Sequence, residues 1–358
     1  MTDPSLRPSR PARPLRPSGR SPFALPSLVH NETTKLLGRR RLHLALGILL
    51  AFLGIATWAE QRQVDNQRAE ASASEGGGGH DDWRAQVRSR IDSLERSARR
   101  RRVFANFSRY QRFEATRLRY HLAHGIDPAR QTGPAFSRAF AALGSTLLLP
   151  LLVILLGADI VSGEAAAGTI KMLLTRPVAR SRILGSKVVT VVLFAGLLVG
   201  VAAIAAWIIG GLAFGWRGWD APVFTGFRSG ADGVDTSNVR MTPLWLDALA
   251  SYGLAWLSCV AVGVLAVSFS VFFPSSVAAV GALMALLVAG ALLGQLATDW
   301  APARWFFSTN LPLAQFHAGA PPPVDGMTVG QSAAVLCAWS VLALGAAFLL
   351  FGRRDVTA

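Results

Sequence analysis

Cysteine is nearly missing from this sequence: only Cys259 and Cys337 occur, both inside oily runs. Two such residues cannot build a disulfide framework or a thiolate metal site, so both read as small packing residues. Acids are scarce as well. The 358 residues hold 21 Asp and Glu against 36 Lys and Arg, a formal charge of +15. No basic motif interleaved with aromatics accompanies that excess, which argues against nucleic acid as the partner. There is no GxxxxGK[ST] phosphate loop, no HExxH and no GxSxG, so the chain is not expected to be an enzyme or to bind a nucleotide, cofactor or metal itself. Asp159 and Asp247 sit at opposite ends of oily runs, too far apart by spacing for a proton relay.

What is abundant is apolar length. Hydrophobic residues make up 51% and charged ones 16%, and charge is crowded into the first half. A helix needs about 20 mostly apolar residues to cross the hydrocarbon. Six runs qualify: 42–59, 139–161 (with Pro150 in its middle), 188–214, 244–272, 275–297 and 329–352. The first is not read as a cleavable signal, because an Arg- and Pro-rich leader precedes it and no small-residue cleavage site follows. The expected fold is therefore an all-α polytopic membrane protein with six transmembrane helices.

The bases set its orientation. Counted over the short segments, 16 Lys and Arg fall on the side of the N-terminus and 4 on the other. That bias places both termini in the cytoplasm. Segment 60–138 carries another 16 bases but is longer than the loops the rule governs.

The remaining segments divide by composition. Residues 1–27 repeat Pro, Arg and Ser and are expected to form a disordered basic leader. In 28–41, Leu28, Val29, Leu36 and Leu37 can share one face, with Asn31, Glu32 and Lys35 elsewhere. This suits a cytoplasmic interface helix or a solvated basic cluster. Within the extracytoplasmic segment 60–138, a Gly-rich knot at 71–82 precedes a helical pattern. Trp83, Val87, Ile91, Leu94 and Ala98 form one apolar stripe, and a second helix over 103–124 ends at Gly125 and Pro128. His121 and His124 lie three apart; without a third ligand they read as an amphipathic helix end rather than a metal pair. Arg99–Arg102 reads as a solvated face. The pairs Gly196/Gly200 and Gly290/Gly294 permit close helix approach.

The most charged stretch of the membrane half is the loop 162–187, which holds Glu164 and five bases. Helix formers follow Glu164, and Pro177 stops that arm before a second piece begins. It reads either as an interfacial helix with snorkelling bases or as a docking element. In the second case Glu164, Thr169, Arg176 and Arg180 face the partner, and Gly168 and Pro177 set the shape.

The strings Asp159-Ile-Val-Ser-Gly-Glu164, Gly168-Thr-Ile-Lys-Met-Leu-Leu, Arg176-Pro-Val-Ala-Arg180 and Lys187 resemble the signature loop of type-2 ATP-binding cassette (ABC-2) permeases. The segment with Asn31, Glu32 and Lys35 is similar to their N-terminal interface helix. The resemblance spans about residues 28–352. It implies a permease subunit, an exporter in the bacterial cell membrane, whose ATP and Mg are bound by a separate cytoplasmic ABC ATPase. Glu164, Gly168, Thr169, Arg176, Pro177, Arg180 and Lys187 would couple the two, and a permease homodimer or heterodimer would form the path for a hydrophobic, lipid, peptide or drug substrate. The alternative is a motor-free membrane protein, such as an immunity or sensory protein acting through segment 60–138; a secondary transporter would want intramembrane carboxylates.

Overall fold

A computed structural model describes residues 25–38, 40–73, 82–100, 105–128, 132–166, 178–230, 233–296, 300–322, 324 and 326–353. The protein is mostly helical. Helices α1 (Leu25–Leu37) and α2 (Arg40–Ala73) lead into α3 (Asp82–Arg100) and α4 (Ala105–Ala123). Then come α5 (Gly133–Thr146), α6 (Leu148–Gly157), α7 (Ser162–Ala166) and α8 (Arg180–Phe214). After a short β region follow α9 (Leu244–Phe272), α10 (Ser276–Leu296), α11 (Leu313–His317) and α12 (Val329–Arg353).

Five helices (α2, α8, α9, α10 and α12) are long and apolar enough to cross a membrane, and the bent pair α5–α6 makes a sixth candidate. The expected span 139–161 corresponds to this bent pair. The chain breaks at Leu147, and the two helices meet at 50°. Pro150 explains the place: it has no N–H to give Thr146, and its ring would strike that carbonyl in a continuous helix. The third span also begins earlier than expected. Its helix starts at Arg180, so Lys187 lies within it rather than before it.

Helix α9 is the axis of the bundle. Its apolar window is 72% buried, against 22–39% for the other single-helix candidates. Small residues make this possible: Ala255, Ser258, Cys259, Ala261, Gly263 and Ala266 leave neighbours room on all sides. Cys259 is buried there, whereas Cys337 is exposed on α12 and does not pack as a core residue.

Two departures from an all-helical chain lie at one end of the bundle. Between α8 and α9 the chain forms two antiparallel pairs: β1 (Pro222–Thr225) with β4 (Arg240–Pro243), and β2 (Arg228–Gly230) with β3 (Gly233–Asp235). The register pairs Phe224 with Met241. Gly226, at φ 95°, turns the chain where an L side chain would be strained. The second departure is 300–322, which folds back into the bundle as 3₁₀ turns (Ala301–Trp305, Ser308–Asn310) and α11. Phe307, Leu311 and Leu313 enter the same core as Ile154, Leu265 and Leu283. Non-helical backbone is tolerated in such surroundings only if its carbonyls are satisfied. Thr309 Oγ1 donates to Ala303 O at 2.6 Å, Asn310 Nδ2 to Arg304 O at 2.8 Å, and Ser258 Oγ to Leu311 O at 2.7 Å.

The α3–α4 hairpin caps that end. Val87 and Ile91 pack on Ala115 and Leu118, with Trp83, Leu94 and Leu122 beside them, so the expected stripe faces its partner helix. The other face of α4 presents Phe113 and Tyr120 to Phe224 and Phe227 of the β region. Opposite, α1 and the end of α12 share the other end, where Arg180 Nη1 donates to Gly352 O at 3.2 Å. We call these the hairpin end and the terminal end. Residues 1–24 of the expected leader and 74–81 of the Gly-rich knot lie outside the described residues, and Leu25–Ser27 are already helical.

Gly290 is where α10 admits the 3₁₀ turn: a Cβ there would collide with Ser308 Oγ. Gly290→Ala is therefore expected to cost about 1–3 kcal/mol through overpacking. Thermal unfolding in detergent should show the loss, and Gly290→Ala/Ser308→Gly should recover most of it. A single variant as stable as the parent would refute the close approach.

Candidate functional site

The terminal end holds a buried cluster of four charges. It begins with α1, whose Glu32 and Leu36 lie one turn apart on the inward face. Leu36 joins the apolar core with Ile183 and Leu184 of α8, which draws Glu32 inward beside it. Lys187, two turns into α8, has no exposed surface. Its ammonium donates to Glu164 Oε2 at 2.7 Å, Ile160 O at 3.0 Å and Glu32 Oε2 at 3.2 Å. Three N–H donors thus meet three acceptors, which is the condition for keeping an ammonium away from water. Lys35 closes the ring from outside, donating to Glu32 Oε1 at 3.0 Å and Glu164 Oε1 at 3.4 Å. Each carboxylate bridges both ammoniums, and the cluster is neutral as a whole.

The turn that carries Glu164 is itself fixed. Asp159 pairs with Arg41 Nη1 at 2.5 Å. The N–H groups of Val161 and Ser162 donate to Ser270 Oγ on α9 at 3.0 and 2.9 Å. At Gly163 a Cβ would press against the Asp159 carboxylate, so that step of the Ser-Gly-Glu string needs glycine. The cluster therefore ties α1, the turn after α6 and the start of α8 into one unit.

Electrostatics of the α1 pair follow. Burial pushes the Glu32 carboxyl up, but the neighbouring ammoniums of Lys187 and Lys35 outweigh it and hold the group below its usual value. Burial likewise lowers Lys35, and the two carboxylates overcome it, so its ammonium is held above the usual value.

Of the residues singled out from sequence, the structure brings together Glu32, Lys35, Glu164 and Lys187. Asn31 is exposed on α1, and Arg180 lies at the first residue of α8, bonded to the end of α12. Gly168, Thr169, Arg176 and Pro177 lie outside the described residues. His121 and His124 do not converge on a shared site: each Nδ1 donates to the carbonyl one turn back, at 2.8 Å. Burial also holds the His121 ring below its ordinary pKa. Among the described residues, no group of three or more His, Cys, Asp and Glu is placed to hold a metal ion.

A second buried ion group, at the hairpin end, was not anticipated from sequence. Arg138 Nε donates to Asp247 Oδ2, and His317 Nε2 lies 2.8 Å from Oδ1 of the same carboxylate. Beside it, Tyr252 donates to Ser137 O at 2.9 Å. One signal pointed there: Arg138 precedes one oily run and Asp247 lies near the start of another, on the same side of the expected topology.

Lys187→Met is expected to destabilise the protein by about 3–5 kcal/mol, because two buried carboxylates lose their shared cation. Adding Glu32→Gln and Glu164→Gln should return most of that loss in thermal unfolding. The docking of α1 should also depend on pH. Because Glu32 is lowered from 4.5, its contribution is present above the ordinary carboxylate range and disappears as pH falls through the lowered value. Because Lys35 is raised from 10.5, its contribution is present below that value and disappears as pH rises past the raised one. Hydrogen-exchange protection of Leu25–Leu37, taken relative to the intrinsic rate at each pH, should accordingly be greatest across neutral pH. Protection that is flat from acid to alkaline pH would contradict this account.

Comparison with known proteins places the chain. The family model that matches, over residues 103–357, is "Protein of unknown function (DUF2705)". The uncharacterised protein YhcI of Bacillus subtilis (strain 168) is 27% identical over 335 residues, covering 92% of this chain and 99% of that protein. The uncharacterised membrane protein YdbK of the same organism is 28% identical over 214 residues, 59% of this chain and 78% of that protein. These matches overturn the expected membership of the type-2 ABC permeases. The strings that carried the resemblance are short, and Gly, Glu, Arg and Pro at such spacing are also what a charged bend between two spans requires. The match spans more than half of the chain, which therefore belongs to the DUF2705 family of proteins of unknown function.

Proposed function

We propose that this chain is the membrane-embedded subunit of a transporter in the bacterial cell membrane, driven by a separate ATP-hydrolysing protein that docks on its terminal end. The observation that carries this reading is the neutral four-charge cluster. Glu164, at the head of segment 162–187, is locked through Lys187 to α8 and through Lys35 and Glu32 to α1. A force that reaches Glu164 is passed through these contacts to two helices of the bundle. The terminal end faces the cytoplasm in this reading, where the 16 bases of its short segments satisfy the positive-inside bias.

The motor is a second protein because the sequence has no phosphate-binding loop of its own. That protein binds the ATP and Mg. Arg176 and Arg180 offer planar forks that suit carboxylates or carbonyls on its docking surface. This reading assigns Thr169 to the same partner, and Gly168 and Pro177 to the shape of the segment. The transported molecule is hydrophobic (a lipid, peptide or drug), the direction is export, and two permease copies or two related chains enclose the path. Apolar spans with their charges gathered at both ends suit such cargo.

Arg176→Ala and Arg180→Ala should leave membrane insertion and the Glu32–Lys187 contacts intact but reduce recovery of the ATPase in mild-detergent purification by about tenfold for the pair. Glu164→Ala should loosen α1 and, in vesicles holding both proteins, uncouple ATP hydrolysis from transport. Full ATPase recovery and full transport with all three variants would defeat the proposal.

A further inference from the structure

The α3–α4 hairpin carries a large charge for its size. Its two helices, of 19 residues each, hold 10 Arg against 4 Asp and Glu, a formal charge of +6. Arg84, Arg88, Arg90, Arg96 and Arg99 of α3 are all exposed. The acids do not balance them. Glu95 and Glu114 are spent on Arg119 and Arg117, and Asp92 stands exposed among the bases. Among the described residues, Arg88, Arg90 and Arg99 form no ion pair. Arg96 gives its Nε–H to the Asp92 carbonyl of its own helix, at 3.2 Å.

Packing decides where this charge points. Helix α3 turns Val87, Ile91 and Leu94 toward Ala115 and Leu118 of α4. Helix α4 turns Phe113 and Tyr120, on its opposite face, toward Phe224 and Phe227. Thus α4 lies between α3 and the rest of the protein. Arg88, Arg96 and Arg99, across the helix from the apolar stripe, form the outermost surface of the hairpin end.

We infer that this face binds a flexible polyanion, a chain bearing repeated phosphates or carboxylates. The arginines are spread along about 16 Å of helix axis between residues 88 and 99, so they do not converge on one small anion. Among its described residues α3 exposes no large apolar side chain. The core of a protein–protein interface needs aromatic or aliphatic anchors, so a folded partner has little to grip. A bilayer surface would require the apolar stripe to face outward, and that stripe is packed on α4. Charge is what remains. A chain that lays successive acidic groups along the helix meets planar guanidinium forks that suit phosphate and carboxylate alike. The inference rests on the hairpin alone and is independent of the transport reading.

The test uses the full chain in nanodiscs of neutral phosphatidylcholine, with binding followed calorimetrically over a range of salt. Long-chain polyphosphate and polyglutamate are the probes, and dextran is the uncharged polymer. At least one polyanion should bind and dextran should not, and the tighter of the two separates a phosphate chain from a carboxylate chain. Arg88→Gln/Arg96→Gln/Arg99→Gln should weaken that binding about tenfold or more. It should also flatten the plot of log affinity against log salt by about 2, as for three lost contacts to a single-stranded polyanion. Gln forms helix about as well as Arg, so α3 is retained. Arg62→Gln/Arg217→Gln/Arg240→Gln removes the same charge from exposed positions outside α3 and α4. It should cost less than about threefold, because distant charges are screened. Absence of binding by both polyanions, dextran bound as tightly, an affinity that survives the α3 substitutions, or an equal loss in the second variant would overturn the inference.

Discussion

An ammonium group that water does not reach can exist only where acceptors surround it, and Lys187 sets that condition at the terminal end. Its Nζ is taken up by Glu164, Ile160 O and Glu32. Meeting that need brings three separate pieces of chain to one point. Helix α1 must lie across the start of α8 so that Glu32 can arrive. The turn after α6 must open its Ile160 carbonyl toward Lys187. Gly163 must lack a side chain so that Asp159 can pass beneath it to Arg41. A buried pair of this kind adds little net stability over an apolar replacement, but it is costly to break by halves. It therefore acts more as a register than as a source of stability.

The hairpin end repeats the logic with different residues. Asp247, almost wholly buried, is shared by Arg138 and His317, which come from α5 and α11. Between the two ion groups α9 runs as the buried axis, and its polar side chains serve the backbone of its neighbours. Ser258 satisfies Leu311, and Ser270 holds Val161 and Ser162. The interrupted elements, α5–α6 and the 300–322 segment, survive among apolar side chains because such groups take up the freed carbonyls and amides. Charges at both ends with an apolar interior suit a protein that works across a bilayer. A cavity lined by Ala135 and Leu244 of the bundle and by Arg117 and His121 of α4 lies between that interior and the capping hairpin.

Much of the candidate site was legible in part. Glu32, Lys35, Glu164 and Lys187 stand out because charges next to oily runs are costly unless used. Their mutual contact did not, since Glu32 and Lys187 are 155 residues apart and nothing local sets their distance. The resemblance to ABC-2 permeases rested on these residues and on the strings that begin at Gly168 and Arg176, and the family match assigned the chain elsewhere.

Local pattern by itself determined which segments are apolar helices and which face of α3 packs, because helical periodicity and run length are properties of neighbouring residues. The break at Leu147 was half visible in Pro150. Tertiary structure alone decided the rest. Val223 and Phe224 lie in a strand because β4 pairs with β1, and Phe224 packs against Phe113 and Tyr120 of α4. Residues 300–317 fold inward because Gly290 and Ser258 make room and bonds for them. Arg138 meets Asp247 across 109 residues. Each of these depends on a partner that the chain reaches only once it has folded, and a buried charge or an unpaired carbonyl takes its meaning from that partner.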